Sequence, residues 1–221
     1  MATIHETPQS TSDKADARER LLAAALEVFA TKGYGQASTR EICRRAEVNV
    51  AGIHYYFGDK ASLYREVLLI PERKVGLPAA LDDPQITLHA GLHAWYSHVM
   101  GFVLGPDDGN QLRLLLLREQ VEPSGLLEPD RVGVIGLFHD QLARFLARHL
   151  DLKTPDAALH QLTFTLLGMA MVFFVEGRAI RQLAPGLIET ETALDKMVQR
   201  IVCHAEAAVE AERTRRTGET E

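Results

Sequence analysis

The 23 residues from Ser38 to Lys60, STREICRRAEVNVAGIHYYFGDK, restrict what this chain can fold into more than any other stretch. Ile42 and Ala46 stand one helical turn apart, on the face away from Arg40, Arg44 and Arg45. Ser38 can cap this first helix, and Glu41 three residues on completes a capping box. Glu47 and Val48 then make a turn, with Val48 tucked between the helices, and Asn49 caps a second helix expected over Val50 to Phe57. In that helix Ile53 and Phe57, at i and i+4, face the core. The outward set is Val50, Ala51, Gly52, His54, Tyr55 and Tyr56, where an ordinary solvated face would carry Lys, Glu and Gln. Small residues let a backbone approach base edges, while Tyr and His can donate to phosphate oxygens. The expectation is a helix-turn-helix whose second helix enters a DNA groove.

The same residues resemble the TetR family of bacterial one-component regulators. Its helix-turn-helix pattern, T-x-x-x-I-A-x-x-A-G-V-S-x-x-x-L-Y-x-H-F-x-x-K, is matched here at Thr39, Ile42, Ala46, Val48, Asn49, Ile53, Phe57 and Lys60. The preceding segment, RERLLAAALEVFATKGYGQAS, is similar to the family's first helix, with its exit at Gly33 and Tyr34. The resemblance implies that Thr39 reaches a phosphate and Arg40 a base edge. It also implies that Val50, Ala51, Gly52, His54, Tyr55 and Tyr56 line the groove, and that Lys60, opening the next helix, meets a phosphate. Gly52 stands where many members have Thr, and His54 where Tyr is frequent.

Charge agrees with that assignment once it is resolved along the chain. The net charge of −6 by itself argues against nucleic acid. Residues 14–65, however, carry nine Lys or Arg against six Asp or Glu, a surplus of +3, whereas residues 66–221 sum to −7. The basic part coincides with the motif, as an electrostatic footprint on DNA should. The two cysteines, Cys43 and Cys203, provide neither a disulfide framework nor metal-ligand spacing and suit a reducing cytoplasm. Cys43 is expected as a small core residue and Cys203 near a subunit contact. The start, MATIHETPQSTSDKADA, has no apolar h-region. The longest apolar run, Leu162 to Val175, is shorter than the ~20 residues that cross a bilayer, so no membrane partner is expected.

The fold class expected is all-α, about nine helices: an N-terminal three-helix helix-turn-helix domain followed by a C-terminal helical ligand-binding and dimerisation domain. The boundaries drawn are a flexible arm at 1–13, the DNA-binding domain at 14–60, the effector-binding and dimerisation domain at 61–213 and a polar tail at 214–221. A fourth helix begins at Ala61 and should kink or end at Pro71. Pro78 to Pro84 reads as a loop, then helices are expected over Ile86 to Leu104, Gln111 to Val121, Asp130 to Leu150, Pro155 to Gln182 and Glu189 to Arg213. No strand-length alternation of apolar residues and no internal repeat appears.

The helix starting at Pro155 is apolar on nearly all sides, and such a helix is buried on all sides. A second subunit is the expected cover, through a four-helix bundle across a two-fold axis that includes Leu162, Leu166, Met169, Phe173, Val198 and Val202. A homodimer also suits a palindromic double-stranded operator, because two recognition helices on a dyad read half-sites about one helical turn, ~34 Å, apart.

The segment ITLHAGLHAWYSHVMGF concentrates histidine and aromatic residues that can line a pocket for a small organic effector. His89, His93, Trp95, Tyr96 and Met100, with Arg118 and Phe138, are the candidates. His89 and His93, at i and i+4, could together hold a metal; no third ligand is placed nearby by sequence, so no metal site is assigned. The segment LRLLLLREQVEPSG resembles the LxxREQxxPS element of a TetR branch with a CecR-like C-terminal domain. Its Arg118, Glu119 and Gln120 sit in an apolar helix, where they act either as a structural ion pair or as ligand contacts. No phosphate loop, nucleophile elbow, HExxH or CxxC is present, so neither enzymatic activity nor a cofactor is expected. The carboxylates Asp107 and Asp108 read as solvated loop residues. The alternatives to an effector-released repressor are a helical protein-interaction module and a metal-responsive regulator using His89 and His93.

Overall fold

A computed structural model of the chain describes residues 11–104, 110–127, 133–187 and 192–218. All regular structure among them is helical, and the chain divides into two units.

The first unit comprises the residues up to Pro71 together with the segment that starts at Asn110. It contains α1 (Thr11–Gln36), α2 (Thr39–Arg45), α3 (Ala51–Phe57), α4 (Lys60–Leu68) and α7 (Asn110–Val121). On α1, Leu21, Leu22, Ala25, Val28 and Phe29 repeat at helical spacing and are all buried, which fixes the face that α2, α4 and α7 cover. Phe29 meets Tyr64 edge to face, ring centres 4.7 Å apart, and Tyr34 packs against Tyr64 at 5.1 Å. Burial of the Phe29 side chain contributes about 1.5–3 kcal/mol over leaving it exposed. Gly33, at φ 72°, is the non-helical residue at which α1 bends. It starts at Thr11, so the arm expected over 1–13 overlaps the helix; residues 1–10 lie outside the described residues.

α7 belongs to this unit, and that corrects one pocket assignment. Arg118 Nε and Nη2 donate to the carbonyls of Ala30 and Thr31 at 3.4 and 3.2 Å, two acceptors near the end of α1. Its stem also covers Gly33, where a Cβ would stand 3.3 Å from Arg118 Cδ. Glu119 accepts from the Tyr64 hydroxyl at 2.6 Å and from the amide and hydroxyl of Ser124 at 3.0 and 2.8 Å. Arg118 pairs with Glu122, at 3.0 Å, rather than with Glu119, and Arg118 and Glu119 are each a clasp within the first unit. Burial and the Glu119 carboxylate push the Tyr64 hydroxyl above its ordinary pKa.

The second unit runs from Glu72 to Gly109 and from Val132 onward. Its described helices are α6 (Leu88–Leu104), α8 (Gly133–His149), α9 (Ala157–Val175), α10 (Gly177–Leu183) and α11 (Ala193–Gly218). The short α5 (Ile70–Val75) spans the division, and Pro71 in its first turn explains the break after α4. The expected loop at Pro78 to Pro84 holds a 3-10 turn, Ala79–Asp82. The helix expected from Asp130 is described from Gly133, and Asp107 and Asp108 also lie outside the described residues.

α6 packs on α9 and α11, and α8 on α9. The single helix expected over Pro155 to Gln182 is two, broken at Glu176 before Gly177. Asp156 caps α9 by accepting from Leu159 N at 2.9 Å. The tail expected from 214 is helical through Gly218 instead. Arg216 makes a two-point bond to Asp156, at 2.7 and 2.8 Å, and holds that carboxyl well below the usual carboxylate range.

α9 also corrects the expectation of a short apolar run. Its 19 residues are long and apolar enough, by length and composition, to cross a membrane. Core helices of soluble folds meet the same criterion, and α9 buries Leu159, Leu162, Leu166, Leu167 and Ala170 within its own unit.

Candidate nucleic-acid interface

The geometry of the turn follows from three residues. Glu47 adopts φ 54°, the left-handed conformation that reverses the chain. The amides of Glu47 and Val48 donate to Arg44 O and Cys43 O at 3.3 and 3.0 Å. Asn49 Oδ1 then accepts from Ala51 N at 3.0 Å, supplying the expected cap at the start of α3. Ile42, Cys43, Ala46 and Ile53 are buried, and Val48 packs against them. Burial raises the Cys43 thiol pKa, as befits a core residue.

The capping box does not form. Ser38 occupies the N-cap position without a side-chain bond, and the Glu41 carboxylate, instead of reaching back to Ser38, pairs with Lys32 Nζ, at 2.6 Å, and Arg45 Nη2, at 3.1 Å. The Lys32 hydrogen bond is the main cause that holds the Glu41 carboxyl below its ordinary pKa. Arg45 also pairs with Glu27, so Lys32 and Arg45 are engaged inside the head. Arg40 and Arg44, one turn apart on α2, are exposed and have no acidic partner among the described residues. Arg44 was not among the sequence candidates. Its spacing from Arg40 was the available signal.

Val50, just before α3, and Ala51, His54 and Tyr55 on it are exposed, Tyr55 to 67%. Gly52 is not part of that face. It is buried, and a Cβ there would stand 2.5 Å from Val48 Cγ1 and 3.6 Å from Leu21 Cδ1. Gly52 therefore lets α3 approach the turn and α1, and it lines no groove. Tyr56 is half-buried and packs on the core, its ring edge-on to that of Tyr55 at 4.8 Å. His54 Nδ1 donates to Gly58 O at 2.6 Å, which leaves Nε2 for another partner. Thr39 is half-buried at the start of α2.

Lys60 opens α4 as expected, held by Asp59, whose carboxylate accepts from Ser62 N at 2.7 Å. Its ammonium lies 4.5 Å from the centre of the Tyr34 ring and 3.5 Å from Gly35 O. Desolvation lowers its pKa from the ordinary lysine value. Lys14, a further cation beside this face, lies 6.0 Å from the Tyr55 ring centre.

The expected effector residues do not gather in one place. Arg118 is in the first unit, as described above. Trp95, Tyr96, Met100 and Phe138 are core of the second unit, with Trp95 edge-on to Phe138 at 6.0 Å. The Tyr96 hydroxyl donates to Leu166 O at 2.8 Å, and burial raises its pKa. His89 is exposed and His93 half-exposed. Trp95 Nε1 and His98 Nε2, both against the Phe138 ring, are enclosed without a hydrogen-bond partner among the described residues.

The interface candidates are corrected in the same way. Leu162, Leu166, Val198 and Val202 are buried within one chain, while Met169 and Phe173 are half-exposed. The exposed apolar face of α9 is carried by Phe164, Gly168, Val172 and Val175.

Residues 21–67 match the model of bacterial regulatory proteins of the tetR family, and residues 88–211 that of the C-terminal domain of the HTH-type transcriptional dual regulator CecR. The chain is 27% identical over 212 residues to the dual regulator CecR of Shigella flexneri, covering 89% of this chain and 93% of that protein. It is 25% identical over 138 residues to the transcriptional repressor BepR of Brucella suis biovar 1, covering 61% of this chain and 65% of that protein. Among solved structures it is similar to HlyIIR, a hemolysin II transcriptional regulator, with TM-score 0.60, 21% identity and coverage of 86% and 97% of the two chains. A TetR-like regulator from Rhodococcus sp. RHA1 gives TM-score 0.59 at 22% identity, covering 91% and 99%. Regulators of this family bind DNA and catalyse no reaction. The motif, the all-helical fold and both family matches agree: the chain belongs to the TetR family of DNA-binding transcriptional regulators, with a C-terminal domain of the CecR type.

Proposed function

We propose that the protein is a cytoplasmic homodimeric repressor that reads a palindromic operator through α3 of each subunit and is released by a small organic effector. The observation that carries the DNA contact is the exposed face of Val50, Ala51, His54 and Tyr55 at α3, flanked by Arg40 and Arg44, which have no acidic partner among the described residues. Small side chains admit the helix to the major groove, and the aromatic tips and guanidiniums supply hydrogen bonds to bases and phosphates. Thr39, Tyr56 and Lys60 complete the set at the backbone. The half-exposed apolar residues Met169 and Phe173 and the more exposed Phe164 and Val172 support a second copy against α9.

For the effector, Trp95 Nε1 and His98 Nε2 support a site in the second unit, because an enclosed polar atom without a partner favours whatever supplies one. Binding there changes operator affinity through a coupling of ~1–3 kcal/mol. Repression is favoured over activation by the similarity to BepR, while CecR is described as a dual regulator.

The test uses fragments selected from genomic DNA by the purified protein. Lys60→Ala is expected to weaken all sequences alike and to reduce the salt slope by about 1, whereas Arg40→Ala should cost about 1–3 kcal/mol at one position and relax preference there. Equal loss on every sequence for both variants contradicts the proposed division of roles.

A further inference from the structure

Resting on the reading of α3 as the helix that enters the groove, we infer that His54 selects an exocyclic amine, cytosine N4 or adenine N6, at one base pair of each half-site. His54 is exposed and lies one turn after Val50 and Ala51, so the three share one face at α3. What distinguishes it is the hydrogen bonding of its ring.

Two bonds join His54 to Gly58. The Gly58 amide donates to His54 O at 3.0 Å, and His54 Nδ1 stands 2.6 Å from Gly58 O. A carbonyl oxygen only accepts, so the proton of the neutral ring sits on Nδ1. Gly58 closes α3 at φ 84°, a left-handed conformation that glycine adopts without strain. The backbone there thus fixes both the direction of the ring and its tautomer. Nε2 is left as a lone pair, with no partner among the described residues.

A group that can only accept has few partners on a duplex. Phosphate oxygens are acceptors, and so are guanine N7 and O6 and thymine O4. Donors reach the major groove from cytosine N4 and adenine N6 alone. Neutral His54 therefore cannot donate to a phosphate, the role open to it from sequence, and guanine or thymine opposite it would set acceptor against acceptor. Its neighbours do not draw this distinction. The guanidiniums of Arg40 and Arg44 only donate, and the hydroxyls of Thr39 and Tyr55 do both.

The test begins with genomic fragments selected by the wild-type chain and by His54→Ala at about pH 8, where histidine is uncharged. The replaced side chain is exposed, so the core of the head is left intact. One position in each half-site is expected to carry adenine or cytosine with the wild type and to lose that preference with the variant, while the other positions and the salt slope stay the same. In the wild-type fragment the amine alone is then removed in one half-site, by purine in place of adenine or 2-pyrimidinone in place of cytosine, which also tells the two bases apart. Wild-type affinity should fall about 5–150-fold and that of His54→Ala by less than about twofold. Equal losses for both chains, guanine or thymine at the position that the variant frees, or a variant that weakens every fragment alike overturns the role of His54 while α3 remains the reading helix. A wild-type chain that selects no fragment overturns the reading of α3 and the role of His54 with it.

Discussion

Changing Phe164 and Val172 together to aspartate is expected to turn the protein into a folded monomer and to reduce operator affinity by roughly 10²–10⁴-fold, the gain that linking two weak sites normally provides. Phe164 is 56% exposed and Val172 46%, so neither replacement leaves a cavity or a buried charge within the chain. Surface changes of this kind alter stability by about 0.5 kcal/mol or less. Across a subunit boundary the same carboxylates would be desolvated and facing their own copies, which is strongly unfavourable. Light scattering and circular dichroism separate the cases. A variant that stays dimeric with full operator affinity shows that α9 is covered elsewhere or not at all.

Gly91→Ala is expected to cost about 2–3 kcal/mol of stability, near the upper end of the range for overpacking a core. A Cβ at Gly91 would lie 2.3 Å from both Cε2 and Cζ of Phe145, which is itself fully buried. Neither ring nor helix can yield without displacing neighbours, since interiors are packed like crystals. Gly101, on the same helix, has nothing within 4 Å of its Cβ position and serves as the control. There the substitution should stabilise by roughly 0.5–1 kcal/mol through helix propensity alone. Urea unfolding of both variants decides the matter, and equal behaviour of the two would contradict the close approach of α6 and α8.

The helix-turn-helix was legible because its signals are local. Ile42, Ala46, Val48 and Ile53 reveal their buried face by spacing, and Asn49 reveals the cap. Gly52 was misplaced for a physical reason: without a side chain a glycine carries no mark of the face it occupies, and its meaning here lies in Val48 approaching from outside the helix. Arg118 was misread because its acceptors, Ala30 and Thr31, are almost ninety residues distant. The run of α11 through Gly218 escaped for the same reason, since Arg216 is held by Asp156 from another helix. On α9, residues on all sides are apolar, so nothing in the pattern ranks the stripe that packs inside the chain above the one that remains exposed. Glu206 beside His89 is a pairing that only the assembled helices bring about.

On the proposed function, two basic heads grip one palindrome. That grip is tested most directly by measuring the affinity and stoichiometry of the full-length protein on its own selected genomic fragment over a range of salt concentrations. The expected result is two chains per fragment, half-sites about one helical turn apart, and an affinity whose logarithm falls linearly with log salt at a slope of about −0.9 per phosphate contacted. Binding of a single chain, or an affinity indifferent to salt, contradicts it.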